Sequence, residues 1–164
     1  MHVSLEKELH QEQFRSEAER AFVNLIFTAS WFQNRFQAFL KPFGLTPQQY
    51  NILRILRGQK EKPISLNAVK NRMLEPNSDT SRIIDRMVRK GIIDRKPCAH
   101  DRRQVDLTLT AKGHELLDRV GFDLDPVIGS IHCLGHEEQQ ALSGLLDKLR
   151  YAPCAEDIAA AKQR

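Results

Sequence analysis

Apolar residues at positions 22, 25, 29, 32, 36 and 39 are spaced 3, 4, 3, 4 and 3 apart. That spacing predicts one apolar seam along a long helix over about 14–41, ended by Pro42 and Gly44. Thr46-Pro47-Gln48-Gln49 opens a second helix with a capping threonine, a first-turn proline and a capping-box glutamine. It carries Tyr50, Ile52, Leu53, Ile55 and Leu56 to a stop near Gly58, and Gln59 to Pro63 is a polar loop. Ser65 caps a short helix to about Met73 with Leu66, Val69 and Met73 inward. Pro76 cannot lie inside a helix, so Leu74 to Asn77 is a turn. Asn77 or Ser78 then caps a helix to about Lys90, closed by Gly91. Ile83, Ile84, Met87 and Val88 face inward; Asp79, Thr80, Arg82, Asp85, Arg86, Arg89 and Lys90 face outward.

Ile92 to Lys96 reads as a strand, Pro97 to Arg103 as a hairpin loop and Gln104 to Leu109 as the alternating return strand. Thr110 caps another long helix with Leu116, Leu117, Val120, Leu124, Val127, Ile128 and Ile131 apolar, kinked or broken at Pro126. A last helix from about His136 to Tyr151 bears Leu142, Leu145, Leu146 and Leu149, and the tail after Pro153 is alanine-rich. Two short helices about a turn, then a hairpin with the basic tip Asp101-Arg102-Arg103, make the layout of a winged helix-turn-helix. The expected fold is mainly α with a small β-wing, and with long N- and C-terminal dimerisation helices. Its expected division is 1–44 for the first dimerisation helix, 45–110 for the reading head and 111–164 for the last helices, in one intertwined unit. The long seams need burial, and a two-fold homodimer also presents two reading helices one DNA turn apart, ~34 Å.

At 164 residues and 41% apolar the chain can bury a real core, and 28% charged residues suit a soluble protein. No apolar run approaches the ~20 residues of a membrane span, and the N-terminus has no apolar signal segment. Three cysteines far apart do not make a disulfide framework. A cytoplasmic protein without membrane contact or cofactor is expected. The charge is unevenly spread: Lys62 to Lys112 holds 12 Lys and Arg against 6 Asp and Glu, while the remainder holds 13 against 15. The positive excess therefore coincides with the helix pair and hairpin, where it would neutralise phosphates.

Three ordered blocks resemble the MarR family of bacterial regulators. Asp101-Arg102-Arg103-Gln104-Val105-Asp106-Leu107-Thr108-Leu109-Thr110 fits the wing pattern D-x-R-x-x-x-L-x-L-T. Ser78 to Met87 followed by Lys90-Gly91-Ile92-Ile93 is similar to the recognition helix and its junction to the wing, and Leu45-Thr46 to the entry of the preceding helix. The similarity spans roughly Leu45 to Leu117, with the terminal helices matching by pattern. It implies a homodimer that binds a palindromic operator, commonly with repression relieved by a small ligand or by oxidation.

The residues expected to meet DNA are Asn77, Ser78, Thr80, Ser81, Arg82 and Arg86 on the recognition helix, and Arg102 and Arg103 in the wing. Hydroxyls near a helix start contact phosphates or base edges, and arginine pairs with guanine through two hydrogen bonds. Ser78 also serves as a plain cap, and Arg82 and Arg86 also as partners of Asp79 and Asp85. Arg103 matches the family arginine of the minor groove, with Asp101 as its support. Trp31, Phe32, Arg35 and Phe39, with Phe36, suggest either dimer core or a pocket for a planar aromatic acid. Cys98, Cys133 and Cys154 leave a redox-responsive regulator open. The family's peroxide sensors carry a cysteine in the first long helix, and here that helix has none. His132-Cys133 with His136-Glu137 reads as a polar interhelical turn before it reads as a metal site. No G-x-S-x-G block or glycine-rich phosphate loop supports an enzyme. A helical adaptor that does not bind DNA would leave Arg103 and the local charge unexplained.

Overall fold

The computed structural model describes residues 4–11, 13–75, 79–98, 104–121 and 124–151. They form two compact units, Met1–Asp123 and Leu124–Arg164. The first opens with a short helix α1 (Leu5–Leu9) and the long α2 (Glu17–Leu40), which begins where the Ser16 side chain accepts from the Glu19 amide. Arg20 on α2 bonds Glu6 on α1 at 2.7 Å, and this guanidinium holds the Glu6 carboxyl down to about 2. A 3-10 turn (Lys41–Phe43) and the left-handed Gly44 then lead to α3 (Pro47–Arg57). Its capping box is complete: Thr46 Oγ1 accepts from the Gln49 amide, and Gln49 Oε1 accepts from the Thr46 amide.

Helix α3 is the centre of the reading head. Ile52, Leu53 and Leu56 are buried on it and pack among α2, α4 (Leu66–Lys70), α5 (Thr80–Arg89) and α6 (Ala111–Val120). Val69, Ile84, Met87, Ile93 and Leu107 complete this core. The sheet has the order β1-β3-β2 and is antiparallel throughout, from β1 (Ile64–Ser65), β2 (Ile93–Pro97) and β3 (Val105–Leu109). Leu107 opposes both Ile64 and Arg95, so the buried leucine sits in the middle strand.

Several boundaries differ from the sequence reading. Strand β1 was not expected, since two residues are too few to show alternation; Ser65 closes it and still caps α4. Helix α4 ends at Lys70, although Met73 is buried as expected. The cap of α5 is Asp79, whose carboxylate accepts from the Arg82 amide, whereas Asn77 and Ser78 lie outside the described residues. The helix after Thr110 breaks at Gly121, with φ 77° and ψ 173°, a backbone conformation that favours glycine. Pro126 is therefore no kink. It lies in the first turn of α7 (Asp125–Ile128), where a missing N–H costs nothing.

The second unit comprises α7, a 3-10 turn (Gly129–Cys133) and α8 (His136–Tyr151), which matches its expected span. No helix among the described residues is long and apolar enough to cross a membrane.

Candidate nucleic-acid interface

Helix α5 is amphipathic and sharply bounded. Its C-terminus is a Schellman motif: the Ile92 amide donates to the Met87 carbonyl at 3.0 Å and the Gly91 amide to Val88 at 2.8 Å, with Gly91 at φ 69°. Ile84 and Met87 are buried on its inner face. Thr80 shares that stripe at i, i+4 and i+7 and is only 2% exposed. The outward placement expected for Thr80 is thus corrected by the phase of the helix. Ser81 is half-buried, and Arg82, Asp85, Arg86 and Arg89 are exposed.

The guanidinium groups lie along the helix surface. Arg82 Nε pairs with the capping Asp79 at 3.0 Å. Arg86 Nε donates to the Arg82 carbonyl at 3.2 Å, and Arg89 Nε to the Asp85 carbonyl at 3.4 Å. These contacts are exposed and weak, so they hold the arginines extended while leaving them available to a stronger anion.

Two links that sequence reasoning missed fix α5 against its surroundings. Arg95 on β2 donates from Nη1 to Asp85 Oδ1 at 2.7 Å, joining the outer face of α5 to the hairpin. At the C-terminus of α5, Thr110 Oγ1 reaches the carbonyls of Gly91 (2.7 Å) and Ile92 (3.1 Å), and Lys112 Nζ that of Lys90 (2.8 Å). The start of α6 thereby satisfies carbonyls left open at the end of α5. In the sequence these are ordinary exposed charges ten and 22 residues from their partners, and periodicity carries no signal for such pairs. On the neighbouring strand position, a hydrogen bond from Lys96 holds the Asp94 carboxyl below the usual carboxylate range.

The hairpin is zipped in register to Pro97↔Val105, and the Cys98 amide donates to the Gln104 carbonyl at 3.0 Å. Asp101, Arg102 and Arg103 at its tip lie outside the described residues, as does Cys154. Cys98 is half-buried and Cys133 exposed, both as free thiols. Among the described residues no group of three or more His, Cys, Asp or Glu could hold a metal ion, His132, Cys133, His136 and Glu137 included.

The aromatic set on α2 divides. Trp31 and Phe32 meet edge to face at 4.9 Å, and the Arg35 guanidinium lies 4.8 Å from the centre of the Trp31 ring. Phe39 turns instead to Phe43 at 5.9 Å, and Phe36 packs edge-on against Tyr50 of α3 at 5.4 Å. Trp31, Phe32 and Arg35 thus form one cluster, and Phe39 belongs to the junction with the 3-10 turn.

The MarR family model matches residues 43–104, which run from the end of that turn through α3, α4 and α5 to Gln104, just before β3. Over these residues the chain is similar to the MarR family. It is 26% identical over 128 residues to the HTH-type transcriptional regulator FarR of Neisseria gonorrhoeae, covering 77% of this chain and 86% of FarR. It is 30% identical over 95 residues to the transcriptional repressor MprA of Escherichia coli K12, covering 58% of this chain and 52% of MprA. The crystal structure of NadR in complex with 4-hydroxyphenylacetate superposes with a TM-score of 0.62 at 26% identity, over 87% of this chain and all of that one. The fold is a winged helix-turn-helix, with α4 and α5 as the helix pair and β2–β3 as the wing, similar to these transcriptional regulators.

Proposed function

We propose that this regulator is a sequence-specific DNA-binding repressor that holds a palindromic operator as a homodimer in the cytoplasm and is released by a small aromatic acid. The observation that carries the DNA reading is the outward face of α5. Arg82, Arg86 and Arg89 project from a helix tied at Asp85 to the hairpin and at its C-terminus to α6. A helix fits the major groove, and a helix held at its middle and C-terminus lets its arginines meet base edges in one register. Ser81 is available beside them; Asn77, Ser78, Arg102 and Arg103 are assigned to the interface from the sequence. The homodimer is supported by apolar surface exposed on each unit taken alone. Phe22 is 64% exposed on α2, and Leu145 and Leu149 are 61% and 63% exposed on α8. Burying such side chains gains roughly 25 cal/mol per Å². Repression is supported by the partial likeness to MprA.

The deciding experiment is fluorescence anisotropy with the DNA upstream of the protein's own gene, against a scrambled duplex. Binding that exceeds the scrambled control and survives moderate salt is expected; equal binding to both, or none, removes the reading. Asp85→Asn separates a positioning contact from simple charge. Removing an anion from the DNA face raises affinity for any duplex by Coulomb attraction alone. A brace between α5 and the wing instead predicts that the ratio of operator to scrambled affinity falls, by about tenfold. A rise in both affinities at constant ratio would show that Asp85 and Arg95 form only a surface pair.

The effector reading rests on the Trp31–Arg35 contact, in which a cation lies over the only tryptophan of the chain. A planar aromatic carboxylate can pair with that guanidinium while its ring meets Trp31 and Phe32. The NadR structure contains 4-hydroxyphenylacetate, a compound of this class. Because the tryptophan is single, titration with 4-hydroxyphenylacetate is expected to change its emission saturably and to weaken operator binding. Arg35→Gln is expected to abolish both responses. Emission that stays constant to millimolar acid would sink the assignment.

A further inference from the structure

Asp79 stands at the end of α5 that enters a major groove first in a helix-turn-helix. Its Oδ1 accepts from the Arg82 amide at 3.3 Å, and its Oδ2 lies 3.0 Å from Arg82 Nε. Both side chains are open to solvent, Arg82 at 82% and Asp79 at 56%. Thr80 is buried and Ser81 half-buried, so these two are the exposed side chains of the described first turn. We propose that Asp79 and Arg82 read two adjacent base pairs as a unit, Arg82 taking a guanine and Asp79 the 4-amino group of a cytosine. This assignment rests on the DNA reading above and names two bases of its target.

Capping alone does not call for a charge at position 79. Serine and asparagine cap a helix about as well as aspartate. On a face that meets phosphates, a carboxylate lowers affinity for every duplex. The other charges nearest to it are cations, since Arg82, Arg86 and Arg89 lie within about 60° of one another around α5 and all are exposed. An acid among them weakens binding unless it meets a donor in the groove. The major-groove edges offer two amino donors, cytosine N4 and adenine N6. Adenine N7 is an acceptor beside N6 and repels the second carboxylate oxygen, whereas the edge of cytosine presents no acceptor. The carboxylate therefore selects cytosine.

Arg82 supplies the other half of the code. Its contact to Asp79 occupies Nε and leaves the two Nη groups for O6 and N7 of guanine, a bidentate contact. Successive base pairs rise about 3.4 Å, close to the 3.0 Å between Asp79 Oδ2 and Arg82 Nε, so the two groups meet neighbouring pairs. The ion pair is exposed and adds little to folding; what it fixes is the direction of both side chains. The helix dipole also favours an acid at this end of α5, so the base selected, and not stability, separates reading from capping.

The test is selection of half-sites by the full chain from a pool of randomised duplexes, for wild type, Asp79→Asn, Asp79→Ser and Arg82→Ala. Both Asp79 variants keep a capping side chain, and their urea midpoints should stay near that of wild type. Wild type should enrich adjacent G and C positions, and replacing that C should weaken binding about tenfold. Asparagine both donates and accepts, which fits adenine N6 and N7, so Asp79→Asn should move that one position from C to A. Asp79→Ser should flatten it while the other positions keep their preferences. Arg82→Ala should lose the guanine and weaken the preference for the cytosine, because the carboxylate loses its Nε partner. Retention of the wild-type C by both Asp79 variants, with a uniform gain in affinity for all duplexes, would make Asp79 a cap alone and overturn the proposal. Preferences altered across the whole half-site would mean that α5 itself had shifted, and would overturn it too. A wild-type chain that enriches no motif would instead remove the sequence-specific DNA reading, and this assignment with it.

Discussion

Gly113→Ala is expected to destabilise the protein by about 2–3 kcal/mol, although the same change in an exposed helix interior gains roughly 1 kcal/mol. The sign reverses because Gly113 is buried in α6 where the helix crosses the start of β2. A Cβ there would fall closer than 3.0 Å to the Ile92 carbonyl oxygen and 3.1 Å from Leu109 Cδ2. The leucine can rotate; the carbonyl cannot readily give way. It accepts from the Thr110 amide at 3.2 Å and from Thr110 Oγ1 at 3.1 Å, while the adjoining Ile92 amide closes the Schellman motif of α5. Moving it to admit a methyl group would loosen the end of the recognition helix. Urea unfolding of wild type and variant, fitted with a common slope, measures the difference. A midpoint that is unchanged or raised would mean that α6 can move away from β2, and that the clasp made by Thr110 and Lys112 is not rigid.

That close approach marks where sequence reasoning stops. The helix spans were legible because each element carries its own punctuation. Thr46 with Gln49, Ser65, and Thr110 cap helices in the structure as their positions imply, and Gly91 ends α5. The apolar stripe on α3 was legible because Ile52, Leu53 and Leu56 are buried by local periodicity. What was hidden depends on partners distant in the chain. Asp79 takes the cap of α5, and this fixes the phase that buries Thr80. Gln48 holds Glu75 across 27 residues, and Arg57 meets Asp118 across 61. Gly113 reads as a poor helix residue until the Ile92 carbonyl is seen beside it. Gly121 outranks Pro126 as the break because its backbone departs from the helix before the proline is reached. For the site, the outward arginines of α5 followed from an alternation of buried and exposed positions. The brace between Asp85 and Arg95 needed the sheet to place the two charges together.

Arg103→Ala is expected to weaken operator binding by roughly 10- to 100-fold, the range of 1–3 kcal/mol for a specific arginine contact. It should also lower the slope of log affinity against log salt by about one. The base of the wing is well held: five paired positions join β2 to β3, the Cys98–Gln104 bond follows them, and Asp85–Arg95 ties the hairpin to α5. In the sequence Arg103 lies two residues before the return strand β3, and its truncation is expected to leave the packing of the described residues intact. Circular dichroism and sedimentation should match wild type, and the urea midpoint should not fall as it is expected to for Gly113→Ala. A narrow minor groove concentrates negative potential and attracts a guanidinium. The loss should accordingly be larger on an operator with A·T-rich flanks than on the same operator with G·C-rich flanks. Equal loss on both flanks with a reduced salt slope would assign Arg103 to a phosphate. An unchanged affinity and slope would remove the wing tip from the interface and leave recognition to the arginines of α5.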